Sequence, residues 1–359
     1  MAREPWYVTR ERVKRALDAA ETARRNDQID DAIEAASRDV EGLLHRIFYP
    51  RLATEKFDWP ARRPPRRAWK LYLDDRELAS TAGLTVAVDN GATALTAAQY
   101  RLLPHQGPPY TRVEINLGST GAFSSGATWQ DAIWITAAAP GAFGYRLDER
   151  PAGTLAAAIA TTSATTCNIS DSSQIGVGSI LLCGSERMIV TARSLLTTAQ
   201  TLQSPLSDSE ASTGMAVTTG SAYAVGEVLT VDSERVRVDD IAGNTLVVTR
   251  TFDGSFLAAH TTGTTIYAPR TLTVERGSLG TTAATHLDAS TLTRHAPPGP
   301  VATLTLAYAL NTLLQEFSGY ARVAGSGDNA REFTGRGISA LEDDAVAACG
   351  RKLRRYGGA

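Results

Sequence analysis

The chain has 359 residues, with 43% hydrophobic and 21% charged side chains and a formal net charge of −2. That is long for one domain and comfortable for two, in the composition of an ordinary soluble globular protein. The charge balance excludes a generally basic nucleic-acid coat, although local basic patches remain. Cys167, Cys183 and Cys349 are odd in number and form no CxxC pair, which argues against a disulfide framework and a cysteine zinc site and suits a reducing cytoplasm. The opening residues carry charge where a signal peptide needs an apolar run, and no stretch reaches the ~18–20 apolar residues of a membrane span, so a soluble protein made in the cytoplasm is expected.

The region to about Phe48 reads as helical. A short helix is predicted over roughly Thr9 to Arg24, with Val13, Ala16, Leu17 and Ala20 on one face, and Arg25-Asn26 as a turn. A longer helix follows, with Asp27 as its cap and Ile29, Ile33, Ala36, Val40, Leu43 and Ile47 at three- and four-residue intervals; Pro50 ends it. From Trp59 the texture changes. Prolines 60, 64 and 65 interleave with Arg62, Arg63, Arg66 and Arg67, which no regular helix accommodates. Strands are then predicted at Ala68–Leu73, Leu84–Val88, Tyr100–Leu103, Arg112–Leu117 and Ala132–Ala137, with Asp89-Asn90-Gly91 as a tight turn.

From about Ala152 to Pro298 the chain is rich in Thr, Ser, Ala and Gly and repeats itself. Asn244–Arg250, followed by Gly254, Ala258 and His260, recurs 26 residues later as Arg270–Arg276, Gly280, Ala284 and His286. A second echo, offset by 48 residues, pairs Val177–Leu181 and Ser185-Glu186-Arg187 with Val225–Leu229 and Ser233-Glu234-Arg235. Each unit alternates apolar and polar residues around Gly or Asn, so an all-β module is predicted. Helix returns from Val301, where Leu304, Leu306, Ala309, Leu310, Leu313, Leu314 and Phe317 form an apolar face. A Gly-rich break (Gly325-Ser326-Gly327, Gly335, Gly337) precedes a last helix from about Ile338, with Leu341, Ala345, Ala348 and Leu353 inward and Arg351, Lys352, Arg354 and Arg355 at its end. The expected fold is α+β. Helical N- and C-terminal segments pack together; residues 1–151 and 299–359 form one core, and an all-β repeat module spans 152–298 as an insertion.

Catalytic signals are sparse. His260 and His286 occupy equivalent repeat positions without an HxH, HxxxH or carboxylate-rich partner in the sequence, so each is expected to hydrogen-bond the backbone of its own hairpin. His45 suits a helix C-terminus, and His105 and His295 fall in Pro-rich loops. No nucleophile elbow, phosphate loop or dinucleotide turn is present. Glu342, Asp343 and Asp344 read as the solvated start of the last helix, and Asp74-Asp75 and Asp239-Asp240 as turns. The expectation is no enzyme, no metal and no cofactor. Arg62, Arg63, Arg66 and Arg67 are candidates for phosphate or partner contact, and Arg351, Lys352, Arg354 and Arg355 for docking on a protein.

The order of parts is similar to a known family. An amphipathic helix ends in Ile47-Phe48-Tyr49-Pro50. A β region with Tyr100-Arg101-Leu102-Leu103-Pro104, Pro108-Pro109-Tyr110, Ile133-Trp134-Ile135-Thr136 and Phe143-Gly144-Tyr145 follows, and an Arg/Lys-rich tail closes the chain. Over roughly residues 1–150 and 299–359 this resembles the head-to-tail adaptor (neck connector) proteins of tailed bacteriophages. The resemblance implies a virion neck protein: a cyclic homo-oligomer, a dodecamer, between the portal and a stopper or tail-completion protein. DNA would pass through its channel without sequence-specific binding, and no membrane would be involved. It also implies that the C-terminal basic cluster meets the portal, while the insertion departs from compact members of the family. A carbohydrate-binding tail or surface protein is the alternative, and a hydrolase using His260 or His286 with Asp253 or Asp288 is a third reading.

Overall fold

The computed structural model describes residues 4–17, 25–60, 68–317, 323–324, 331–332 and 335–351. Four helices are present among them: α1 (Arg10–Ala16), α2 (Asn26–Leu44), α3 (Gly299–Phe317) and α4 (Gly335–Cys349). Thr9 caps α1, its side chain accepting from the Arg12 amide. Arg25 takes a left-handed φ of 64° and α2 starts directly after it, one residue before the expected cap. Ile29, Ile33, Ala36 and Val40 are buried as the spacing requires. Leu43 is exposed and Leu44 buried in its stead, and the helix stops before Ile47 because His45 turns left-handed at φ 52°.

The chain divides into two compact units. One holds residues 41–148, 279–282 and 346–359; the other holds 1–40, 149–278 and 283–345. In the first, β1 (Thr54–Phe57), β2 (Lys70–Tyr72), β3 (Leu84–Val88), β4 (Thr93–Leu95), β5 (Tyr100–Leu103), β6 (Arg112–Ile115) and β7 (Ile133–Ala137) form two antiparallel sheets, ordered β1-β7-β3-β4 and β2-β6-β5. The Asp89-Asn90-Gly91 turn joins β3 to β4, with all three residues at positive φ. Gly91 is required there, because a Cβ would strike the Trp134 ring at 2.6 Å. Leu71, Leu78, Val86, Val113, Ile133, Ile135 and Phe143 fill the core between these strands.

The larger unit is built on a 10-stranded antiparallel sheet. Its strands are β8 (Glu149–Thr154), β9 (Thr166–Asn168), β10 (Ile180–Cys183), β11 (Glu186–Thr201), β12 (Gly214–Ala216), β13 (Val228–Val231), β14 (Glu234–Ala242), β15 (Thr245–Thr249), β16 (Thr265–Glu275) and β17 (Thr291–His295). The path runs β12-β15-β14-β13-β16-β11-β10-β17-β8, with β9 added on β16. A two-stranded ribbon, β18 (Val323–Ala324) with β19 (Arg331–Glu332), follows α3.

The α+β expectation, with helical N- and C-terminal segments packed together beside a β region and an inserted all-β module, is overturned as a fold class. Sheets of 10, 4, 3 and 2 strands dominate, against helices of 7, 19, 19 and 15 residues. The helical ends do meet: Val13, Ile29, Ile33 and Ala36 share one buried cluster with Ala309 and Leu313, which Trp6 and Val177 complete. The larger part of the buried core, however, lies between strands, and that makes the chain mostly β. Smaller expectations also change. Gly335 and Gly337 lie inside α4 rather than in a break, and Ala348 is exposed while Cys349 is buried. Asp239 and Asp240 sit in β14, at a bulge between Val238 and Asp240, not in a turn. Asp74 is a left-handed turn residue.

Candidate functional site

The two sequence echoes are halves of one duplication. In one copy, the β13–β14 hairpin joins β15 and the loop ending at His260. In the other, the β10–β11 hairpin joins the second half of β16 and the loop ending at His286. A third strand completes each copy: β12 on β15 in one, β9 on β16 in the other. The copy ending at His260 is therefore nested inside the copy ending at His286. Left-handed backbone is copied with the sequence. Gly178 and Gly226 have φ of 93° and 88°; Gly184 and Asp232 have 57° and 52°; Gly277 and Thr251 have 59° and 53°. Leu279 and Asp253, at 56° and 52°, also match.

Each copy closes its long loop with a buried glutamate. Glu234 Oε1 accepts from Arg250 Nε at 2.7 Å and from the Thr251 amide at 3.1 Å. Its Oε2 accepts from Arg250 Nη2 at 2.8 Å and the Ala258 amide at 3.1 Å, and faces His260 Nε2 at 2.9 Å. The copy around Glu186 is the same. Its Oε1 accepts from Arg276 Nε at 2.7 Å and the Gly277 amide at 2.9 Å. Its Oε2 accepts from Arg276 Nη2 at 2.8 Å and the Ala284 amide at 3.0 Å, and faces His286 Nε2 at 2.7 Å. Each arginine returns Nη2 to the carbonyl of that same alanine. Its Nη1 reaches an equivalent carbonyl in each copy, Ser212 at 3.2 Å and Ala164 at 2.9 Å. Both glutamates are 0% exposed. The copies differ at one contact: Asp232 Oδ2 lies 2.7 Å from His260 Nδ1, where the other copy has Gly184 and no side chain to offer.

A further buried pair ties the copies together. Glu227 Oε1 accepts from Arg270 Nε at 2.8 Å and from Ser172 Oγ at 2.8 Å, and Glu227 Oε2 from Arg270 Nη2 at 2.7 Å. The expectation that His260 and His286 bond the backbone of their hairpins is thus corrected. Their main chains pair with Leu206 and Ile159, while the rings engage carboxylates.

Chemically these clusters are closed. A carboxylate offers about four lone-pair directions, and each glutamate already receives five contacts. Burial pushes Glu234 up, but Arg250, His260 and the Thr251 and Ala258 amides outweigh it and hold the carboxyl at about 2. Burial likewise raises Glu186, while Arg276, the Ala284 amide, His286 and the Gly277 amide bring it to about 2. Groups so depressed do not serve as bases near neutrality. They do predict acid lability. A carboxylate with a lowered folded pKa contributes stability that is fully present above its unfolded value, about 4.3, and is lost as pH falls toward 2. Urea midpoints measured from pH 7 to 2 are expected to hold above pH 5 and fall steeply below 4.5; a flat profile would contradict the clamp.

The predicted sites are placed unevenly. Arg62, Arg63, Arg66, Arg67, Lys352, Arg354 and Arg355 lie outside the described residues. Arg351 follows α4; its amide donates to the Leu44 carbonyl at 3.3 Å and its Nη2 lies 3.6 Å from Asp74 Oδ1. Glu342 accepts from the Tyr308 hydroxyl at 2.7 Å, and Asp343 and Asp344 are exposed. Asp253 stands 3.9 Å from Arg235, away from the ring atoms that His260 presents to Asp232 and Glu234. His295 ends β17, buried and opposite Glu149, rather than lying in a loop. Among the described residues no group of three or more His, Cys, Asp or Glu is arranged to hold a metal ion. Cys167 and Cys183 pack in the core beside the Glu186 cluster, where burial pushes the Cys167 thiol up to about 11.

Sequence reasoning missed the glutamates because it treated the two echoes separately. The signal was present: each copy carries one Ser-Glu-Arg and one Arg-to-His segment, so the offsets of 48 and 26 describe a single nested unit. Comparison with family models, with curated proteins and with solved structures finds no match for this chain.

Proposed function

We propose that the chain is a non-catalytic structural subunit of a tailed-phage neck, an adaptor that forms a ring between the portal and a stopper or tail-completion protein around the DNA channel. The observation that carries this reading is the use made of its most chemically capable residues. The carboxylates, guanidiniums and imidazoles of both copies are consumed in internal bonds that fix loops, which is what a scaffold requires and a catalyst cannot spare. The motifs behind the family resemblance lend support by meeting in one place. Phe48 and Tyr145 pack edge-to-face at 5.3 Å, Arg51 and Phe143 form a β-bridge, and Gly144 passes so close to the Tyr49 carbonyl that a Cβ would sit 2.6 Å from it.

Portal docking by Arg351, Lys352, Arg354 and Arg355 belongs to the same proposal. The test mixes the full chain with the portal ring of its own virion and measures mass by light scattering. A closed complex is expected, with loss of association when Lys352, Arg354 and Arg355 are changed to Gln. Failure to bind the portal, together with retention on a glycan array, would shift the assignment to a carbohydrate-binding surface protein.

A further inference from the structure

A cavity of about 410 Å³ in the larger unit is lined by Arg12, Arg15, Arg150, Arg193 and Arg294 and by one carboxylate, Glu11. Arg150 on edge strand β8 and Arg294 on β17 are direct cross-strand partners, a like-charge pairing that costs stability when left alone. Arg12, from α1, lines the same space, and the first turn of α3, with no acidic residue, borders it through Gly299 and Ala302. Glu11, in the cavity wall, is taken by Arg193 at 3.1 Å and the Val177 amide at 2.9 Å; Glu149 pairs with Arg187 at 2.8 Å, and Asp171 accepts from the Ser173 amide at 2.7 Å. No ion pair joins Arg12, Arg150 or Arg294 to a carboxylate among the described residues. Arg294 Nε is buried with no hydrogen-bond partner, and its Nη2 only grazes Gln174 Oε1 at 3.5 Å.

We propose that this cavity is a binding site for an oxyanion of the phosphate class, held by Arg294 with Arg150 and Arg12. A carboxylate takes its donors near one plane, whereas a tetrahedral dianion takes donors from several directions at once. Three guanidiniums on separate elements present that second arrangement. Burial, and then the neighbouring Arg150 and Arg12 charges, lower the pKa of Arg294, a mutual repulsion that an anion between the three guanidiniums would relieve.

The experiment titrates the full chain with inorganic phosphate by calorimetry, at ionic strength fixed with NaCl so that general screening cannot mimic binding. Saturable binding is expected, weakened about tenfold or more in Arg294→Gln and in Arg150→Gln. Arg150 is exposed on an edge strand, so its variant reports even if Arg294→Gln folds poorly. Without phosphate, Arg150→Gln should melt at or above the wild-type temperature; with saturating phosphate it should melt below it. A short single-stranded oligonucleotide distinguishes the source. If it competes with phosphate, the anion is a nucleic-acid backbone phosphate; if it does not, the site takes a free anion. No saturable phosphate binding, or phosphate binding indifferent to both variants, overturns the proposal.

Discussion

Glu234→Ala is expected to destabilise the larger unit by about 3–5 kcal/mol, the usual cost of leaving a buried charge without its partner. The reasoning rests on what remains. Arg250 is buried with its partner gone, and the Thr251 and Ala258 amides lose their acceptor at the same stroke. Glu186→Ala should cost a similar amount, because Arg276, Gly277 and Ala284 are left in the same condition. Replacing both members, Glu234→Ala with Arg250→Met, should recover part of the loss but not all. The unpaired guanidinium disappears, while the two amides still lack their acceptor and the Ser207, Ser212 and Ala258 carbonyls now lose the Arg250 donors. Urea unfolding of the three variants checks this; a loss under about 1 kcal/mol for either glutamate would show that the loops are held by something other than the clamp.

The second large effect is expected in the smaller unit. Phe143 is fully buried, exchanges backbone hydrogen bonds with Arg51, and lies in a core with Leu78, Val113 and Ile135. Phe143→Ala should therefore cost about 3–5 kcal/mol, the sum of lost transfer energy and the cavity left by a rigid β core. Phe256→Ala is the matched control, since that ring is 87% exposed and its removal should change stability by less than about 0.5 kcal/mol. Equal effects at the two positions would mean that the core has been misassigned.

Local pattern made part of this fold legible. Leu84–Val88 and Tyr100–Leu103 are strands at the expected residues, and Asp89-Asn90-Gly91 turns as its composition demands. Those elements are fixed by alternation and by positive φ, both of which sequence displays directly. The helical ends are legible as apolar faces, and such a face requires something to cover it; α1, α2 and α3 cover one another through Val13, Ile33, Ala309 and Leu313. Helix meeting helix says nothing of how many strands the rest of the chain makes, and that number sets the fold class. The clamps were half legible. Both histidines and both Ser-Glu-Arg tripeptides stood out, but Glu186 is 90 residues from Arg276 and 100 from His286. Insertion of one copy into the other hid the pairing. The cross-strand pair of Arg150 and Arg294 had no signal at all, since register between strands 144 residues apart is set only by the folded sheet.

Cryo-electron microscopy of the virion that carries this chain tests the functional reading most directly. The proposal expects a closed ring of copies directly beneath the portal, with the residues after Arg351 at the portal face and the duplicated β unit ordered within each subunit. Density for this chain at a fibre tip or on the capsid surface, with another protein occupying the position beneath the portal, would contradict it.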